Sequence, residues 1–271
     1  MSKKSSKTGH QARKRFGQNF LHDAAVISRI VSSINPSPDD RMVEIGPGLG
    51  ALTEQLLLST EGNLQVVELD RDLIPVLRTK FFNYPELIIH QADALKFDFD
   101  QLADDQHLLR VVGNLPYNIS TPLIFHLLAN ITHLKDMHFM LQKEVVERMA
   151  AQPGESAYGR LGIMTQYYCR VQPLFMVSPQ AFRPVPKVES AIVRLVPHRR
   201  LPYQVESVER LQNIVRTAFT KRRKTLRNAL SGVIAPDALE ALNIDAGLRP
   251  ENLSLEQFCQ LSNWQSKETD L

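Results

Sequence analysis

Residues Arg110 to Ser120, RVVGNLPYNIS, decide how the rest of the chain is read. Leu108 to Val112 reads as an apolar strand buried on both faces, and it stops at Gly113, where a small residue lets the backbone turn sharply. Asn114-Leu115-Pro116-Tyr117 follows, and Thr121-Pro122 then opens an apolar helix with a hydroxyl cap and a proline in its first turn. The loop therefore falls at the carboxyl end of a central strand, where open α/β sheets bind ligands. An amide, a carbonyl, a rigid proline and an aromatic ring in succession suit a flat heterocycle bearing an amine. The ring stacks on Tyr117, while the Asn114 oxygen and a loop carbonyl accept the two N–H bonds. A plainer reading is a strand-ending turn with a tyrosine packed on the sheet, which the turn preferences of Asn and Pro also allow. The neighbouring segments favour the first.

Upstream, His22-Asp23 caps an amphipathic helix to about Ile34, ended by Asn35-Pro36-Ser37-Pro38. Strands are expected at Arg41 to Ile45, Leu64 to Leu69, Leu87 to His90 and Met137 to Leu141, with helices at Ala51 to Leu58 and Asp72 to Phe81. Repeated β-α-β units imply a doubly wound α/β fold with a parallel sheet and right-handed crossovers. Helices are expected at Gln142 to Ala151 and Gly159 to Cys169. Val171 to Val177 and Ser190 to Val196 would close the sheet as a hairpin-like antiparallel edge. Pro197 to Pro202 reads as a link, and beyond it come helices at about Val205 to Phe219, Lys224 to Leu230, Pro236 to Leu242 and Ser254 to Trp264. The expected organisation is a basic arm over 1–15, an α/β domain over 16–200 and a small all-α domain over 201–271.

Composition narrows the classes. With 43% hydrophobic and 23% charged residues, and no apolar run of spanning length, the sequence is that of a globular protein with no membrane role. Cys169 and Cys259 lie far apart with no partnering pattern, which fits a reducing, cytoplasmic setting and excludes a zinc module; the histidines show no ligand spacing either, so no metal is expected. The net charge of +3 says little, but its distribution says more. Met1 to Arg15 is basic with no apolar core behind it, so it reads as a solvated tail or a phosphate-touching arm, not a secretory signal. Lys221, Arg222, Arg223, Lys224 and Arg227 form a dense basic run, either a solvated face or an RNA contact.

Gly46-Pro47-Gly48-Leu49-Gly50 after a strand allows close backbone approach to a ligand, but in a G-x-G-x-G spacing that differs from the pyrophosphate fingerprint. Glu44 would also set an acid near a dinucleotide's negative charge. Glu68, about twenty residues on, can accept from both ribose hydroxyls, and Asp93 from an adenine amine. Each acid alone is an ordinary solvated strand end. Together they describe an adenosyl ligand without phosphates, of which S-adenosylmethionine is the commonest. Beside a sulfonium methyl donor the Asn114 loop acquires a reaction: acceptors aimed at an aryl amine bind the developing ammonium more strongly than the neutral amine.

Arg13 to Leu21 (RKRFGQNFL), Val43 to Thr53 (VEIGPGLGALT), Glu68-Leu69-Asp70, Gly113 to Ser120 (GNLPYNIS), Phe139 to Glu144 (FMLQKE), Tyr158 to Arg160 and Ala218 to Asn228 (AFTKRRKTLRN) together resemble the bacterial small-subunit ribosomal RNA adenine N6,N6-dimethyltransferases, the KsgA/RsmA family. The resemblance spans nearly the whole chain. It implies a Rossmann-like class I methyltransferase sheet, mostly parallel with an antiparallel last strand, and a helical C-terminal RNA-binding domain. It implies S-adenosylmethionine held by Asn19, Leu21, Gly46, Gly48, Glu68, Asp93 and Asn114. The catalytic loop would be Asn114, Leu115, Pro116 and Tyr117, with Phe182 as a second aromatic wall for the base. The implied substrate is two adjacent adenosines in the 3′-terminal hairpin of 16S RNA, methylated by a monomer in an immature 30S particle. Gly50 stands where relatives can carry alanine, a small-for-small exchange. Two other readings stay open: a large-subunit RNA methyltransferase of the macrolide-resistance type, and a non-catalytic assembly factor.

Overall fold

The structure, a computed structural model, describes residues 19–103, 107–129, 131–235 and 237–264. The expected basic arm over 1–15 lies outside them. The chain forms β1 (Phe20–Leu21), α1 (Ala24–Ile34), β2 (Arg41–Ile45), α2 (Ala51–Ser59), β3 (Gln65–Glu68), α3 (Ile74–Lys80) and β4 (Ile88–Gln91). It continues with β5 (Leu109–Asn114), α4 (Ser120–Ala129), β6 (Leu134–Gln142), α5 (Lys143–Ala150), α6 (Arg160–Tyr168), β7 (Cys169–Val177), β8 (Phe182–Arg183) and β9 (Ser190–Pro197). Helices α7 (Val208–Thr220), α8 (Leu226–Ala229), α9 (Ala238–Ala241) and α10 (Leu255–Asn263) follow.

Seven strands form one sheet in the order β4-β3-β2-β5-β6-β9-β7, a mixed, mostly parallel Rossmann-like arrangement. The pairs β4/β3, β3/β2, β2/β5 and β5/β6 are parallel. β9 enters between β6 and β7, so the earlier strand of the expected edge pair becomes the outer one. β5 also runs two residues further than expected. Gly113 and Asn114 stay in the ladder because they pair with Ile45 on β2 and with Phe139 and Met140 on β6.

Local chemistry sets the ends of α1. The Asp23 carboxylate accepts the Ala25 and Val26 N–H groups at 2.9 and 3.0 Å, and Asn35 closes the helix in the left-handed region before Pro36. Ile27, Ile30 and Ile34, at helical spacing, turn into an apolar cluster with Met42, Leu56, Val66, Val112, Phe182 and Ile192. α4 begins at Ser120, one residue before the expected Thr121 cap, and the Ser120 hydroxyl donates to the Tyr117 carbonyl at 3.2 Å.

Arg110 corrects the reading of β5 as uniformly apolar. It is 4% exposed, and its guanidinium spans the amino-terminal end of the sheet. Nε and Nη2 donate to the two Asp136 carboxylate oxygens at 2.9 and 3.1 Å, and Nη1 donates to Asp40 at 2.7 Å. The Ile34 and Asn35 carbonyls accept the remaining bonds at 2.6 and 3.2 Å. Burial alone would raise both carboxyls, but the Lys135 and Arg110 hydrogen bonds hold Asp40 down at about 2, and Arg110 holds Asp136 below the usual range.

The chain divides into two compact units, one built from residues up to Lys143 with Leu174–Arg194, the other from Glu144–Pro173 with the chain from Leu195 onward. The grouping differs from the expected cut near residue 200, because α5 and α6 cluster with the C-terminal helices. Buried Tyr158, just before α6, explains part of this: its hydroxyl donates to the Leu253 carbonyl at 2.9 Å and its ring meets Phe219 edge-on at 6.2 Å. Among the described residues no helix is long and apolar enough to cross a membrane.

Candidate active site

The carboxyl ends of β2, β3 and β5, with β1, surround a cavity of about 240 Å³, several times the ~30 Å³ share of one water and so room for a larger ligand. Of the residues expected to hold the cofactor, Asn19, Leu21, Gly46, Gly48, Glu68, Asp93 and Asn114 all line it, and so do Leu115, Pro116 and Tyr117. Close packing of β5 on β2 brings the two loops together. A Cβ at Gly113 would lie 2.6 Å from the Ile45 carbonyl oxygen, so no other residue fits there without moving the strands apart.

The acids are not equivalent. Glu68 accepts the Asp70 N–H at 2.7 Å and the Gly48 N–H at 3.3 Å, so one carboxylate braces the glycine loop and faces the cavity. Burial pushes its carboxyl up, partly offset by these two bonds. Asp93 caps a turn by accepting the Leu95 N–H at 3.0 Å. Glu44, which the sequence offered only as an argument against a dinucleotide, also lines the cavity. It is 2% exposed, and the Thr53 hydroxyl donates to it at 2.6 Å. Burial pushes Glu44 up to about 7, helped by the nearby Glu68 charge and opposed by Thr53 and Lys80. Lys80 pins the loop from outside by donating to the Gly50 carbonyl at 3.1 Å while pairing with Glu54 at 2.9 Å.

A raised carboxyl stabilises the fold fully below its unfolded value and loses that stabilisation as pH rises through its folded value. For Glu44 the window runs from 4.5 to about 7, and the loss is roughly 3 kcal/mol. Urea titrations at pH 4 and pH 8 should show the wild type losing about that much more stability than Glu44→Gln; parallel losses would refute the assignment.

Gly50 corrects one expectation. Its φ is +75°, and a Cβ there would stand 2.6 Å from the Phe81 ring, so alanine is strained in this chain despite its small size.

The orientation of Asn114 follows from its neighbour. Its side-chain NH2 donates to the Asn19 carbonyl at 3.0 Å; a carbonyl can only accept, so the amide oxygen is the end left for a ligand. Asn19 is placed by β1, which pairs antiparallel with β8, Phe20 opposite Arg183 and Leu21 opposite Phe182, and by the His22 N–H donating to the Ala181 carbonyl at 2.9 Å. The Tyr117 hydroxyl lies 2.8 Å from Ser190 Oγ. Burial raises the Tyr117 phenol and the Ser190 bond opposes it.

Phe182 does not form the expected second aromatic wall. Alternation along β8 turns Arg183 outward and Phe182 inward, where its ring is 0% exposed among Leu21, Val112 and Met140. A ring with no open face cannot stack on a base. The β1/β8 pairing and the Tyr117–Ser190 contact join segments far apart in the chain, which no local pattern records. Only a Ser at the head of the apolar run Ala191 to Val193 could have hinted at a buried polar role.

In the other unit the basic run forms the turn after α7 and the start of α8. Lys221, Arg223, Lys224 and Arg227 are exposed, whereas Arg222 donates to the Ser156 carbonyl at 2.7 Å and lies 3.6 Å from Glu251.

Comparisons with known proteins show the family. The chain is 66% identical over 259 residues to a ribosomal RNA small subunit methyltransferase A from Marinobacter nauticus, covering 96% of this chain and 93% of that one. It is 61% identical to the protein of that name from Hahella chejuensis, over 97% and 96%. A dimethyladenosine transferase from Plasmodium falciparum superposes with a TM-score of 0.75 at 27% identity, over 89% of this chain and 95% of that one. The 23S rRNA methyltransferase ErmE superposes at 0.70 and 26%, over 90% and 98%. The model of the ribosomal RNA adenine dimethylase family matches residues 9–267, and the chain, an enzyme whose methyl donor is S-adenosylmethionine, belongs to that family.

Proposed function

We propose that this enzyme dimethylates N6 of two adjacent adenosines in the 3′-terminal hairpin of 16S RNA, acting in the cytoplasm as a monomer on an immature 30S particle. The observation that carries the reading is the Asn114 amide, which lines a cavity also lined by carboxylates and, with its NH2 committed to the Asn19 carbonyl, keeps its oxygen for a ligand. The small-subunit choice is supported by the 66% and 61% identity to relatives named for that subunit, against 26% to the large-subunit enzyme.

The residues present fit the donor. Glu44, Glu68 and Asp93 line the cavity, and among the described residues no Lys, Arg or His lines it, which suits a cationic ligand and opposes a phosphate. S-adenosylmethionine supplies a methyl group on positively charged sulfur. The Asn114 oxygen and a loop carbonyl accept the N–H bonds of the adenine amine and favour its tetrahedral, cationic form. Tyr117 holds the base plane, Pro116 stiffens the loop, and the aligned approach contributes several kcal/mol through orientation. No strongly basic group is required.

The test is methyl transfer to purified immature small subunits beside bare large-subunit RNA. Label in the small subunit alone is expected; label in large-subunit RNA alone would select the macrolide-resistance reading, and none in either the assembly factor. The exposed basic turn is read as a phosphate contact. Neutralising Lys221, Arg223 and Lys224 together should flatten the slope of log affinity against log salt by about 2–3 while cofactor affinity holds. An unchanged slope would remove the turn from the interface.

A further inference from the structure

The Asn114–Tyr117 loop is tied at both ends by groups outside it. The Asn19 carbonyl holds one end, and at the other the Tyr117 hydroxyl meets Ser190 Oγ at 2.8 Å. Ser190 is the first residue of β9 and is 0% exposed. Its backbone is fixed on both sides. Before it, the Glu189 carbonyl accepts the Lys143 N–H at 3.0 Å, and the Glu189 carboxylate pairs with Lys143 Nζ at 3.0 Å. After it, Ala191, Ile192 and Val193 are buried in the sheet. A serine anchored in this way offers a fixed point, not a mobile hydroxyl.

Tyr117 needs such a point. It belongs to a turn that begins where β5 ends, and its half-buried ring lines the cavity. Two side-chain torsions set the ring, and a bond at its far end restricts both. Ser190 does not line the cavity, so it reaches the reaction only through Tyr117. We propose that Ser190 is a positioning residue for methyl transfer: its hydroxyl fixes the tilt of the Tyr117 ring, and with it the plane in which the target adenine stacks. This rests on the reading of Tyr117 as the stacking platform. A small tilt of that plane moves the amine out of line with the methyl group, so the cost falls on the rate and not on binding.

The experiment is a double-mutant cycle of Ser190→Ala and Tyr117→Phe, measured as single-turnover methyl transfer to immature small subunits, with cofactor affinity and melting temperature recorded for each variant. Each single change should slow transfer about tenfold with KM for the subunit little altered, and the double variant should be no slower than the slower single. Cofactor affinity should stay within about twofold. Ser190→Thr, which keeps a hydroxyl, should recover most of the rate. Ser190→Cys, close in volume but a weak donor, should behave like Ser190→Ala and covers the case in which the alanine variant folds poorly. Equal slowing by Ser190→Ala in the wild type and in Tyr117→Phe would overturn the proposal, as would a rate unchanged in all Ser190 variants. Tyr117→Ala tests the stacking reading separately: a native rate there would refute the platform whatever Ser190 does.

Discussion

Asn114→Ala is expected to slow methyl transfer by about 10²–10³-fold, the usual cost of removing one polar group aimed at developing charge. The amide oxygen is positioned because the NH2 at the other end of the same group is committed to the Asn19 carbonyl at 3.0 Å. This makes Asn114→Asp the sharper experiment. It keeps one oxygen for a ligand but sets a second one against the Asn19 carbonyl, where two acceptors repel and the side chain must swing away. A similarly large loss is expected, although the variant is isosteric and retains an acceptor. A near-native single-turnover rate for Asn114→Ala would remove the amide from the chemistry. A near-native rate for Asn114→Asp alone would remove only the role of Asn19. The product ratio should also move: after the first transfer the nitrogen carries one N–H fewer, so a weakened acceptor should change the proportion of mono- to dimethyl adenosine.

The largest effect on stability is expected at the opposite end of the same strand. Arg110→Ala should lower the unfolding free energy by about 3–5 kcal/mol, read from urea titrations at pH 7, because it leaves two buried carboxylates without their shared cation. Asp136 is 1% and Asp40 7% exposed, and the other cations on them, Arg194 at 2.9 Å and Lys135 at 2.7 Å, are more open to solvent. The pH dependence follows from the depressed carboxyl. Asp40, at about 2 in the fold against an ordinary 3.8, contributes stability that is present above about 4 and lost as pH falls toward 2. In Arg110→Ala the carboxyls lose that support, so acid unfolding should begin at higher pH. A loss under 1 kcal/mol would show that the network is decoration on an already sufficient core.

The sequence alone was enough for every element that rests on local periodicity or local turn chemistry. The alternating strands and helices, the Asp23 cap, the glycine loop, and Glu68 and Asp93 at successive strand ends all depend on contacts within a few residues, and all are where the pattern puts them. The chemistry expected of the Asn-Leu-Pro-Tyr turn likewise came from its residue types. What only the tertiary structure decided are matters of distant partnership. Arg110 meets Asp40 and Asp136, Asn114 meets Asn19, and Tyr117 meets Ser190, at separations of 26 to 95 residues. No periodicity records such pairs, because a polar residue inside an apolar run looks the same whether it ends in solvent or against a partner from another strand. Phe182 went the other way for the same reason: the family resemblance implied a platform, but pairing of β8 with β1 buried it. Residue types suggested a chemistry for the loop, while long-range hydrogen bonding, which depends on sheet order and register, decided which end of its amide is committed to Asn19.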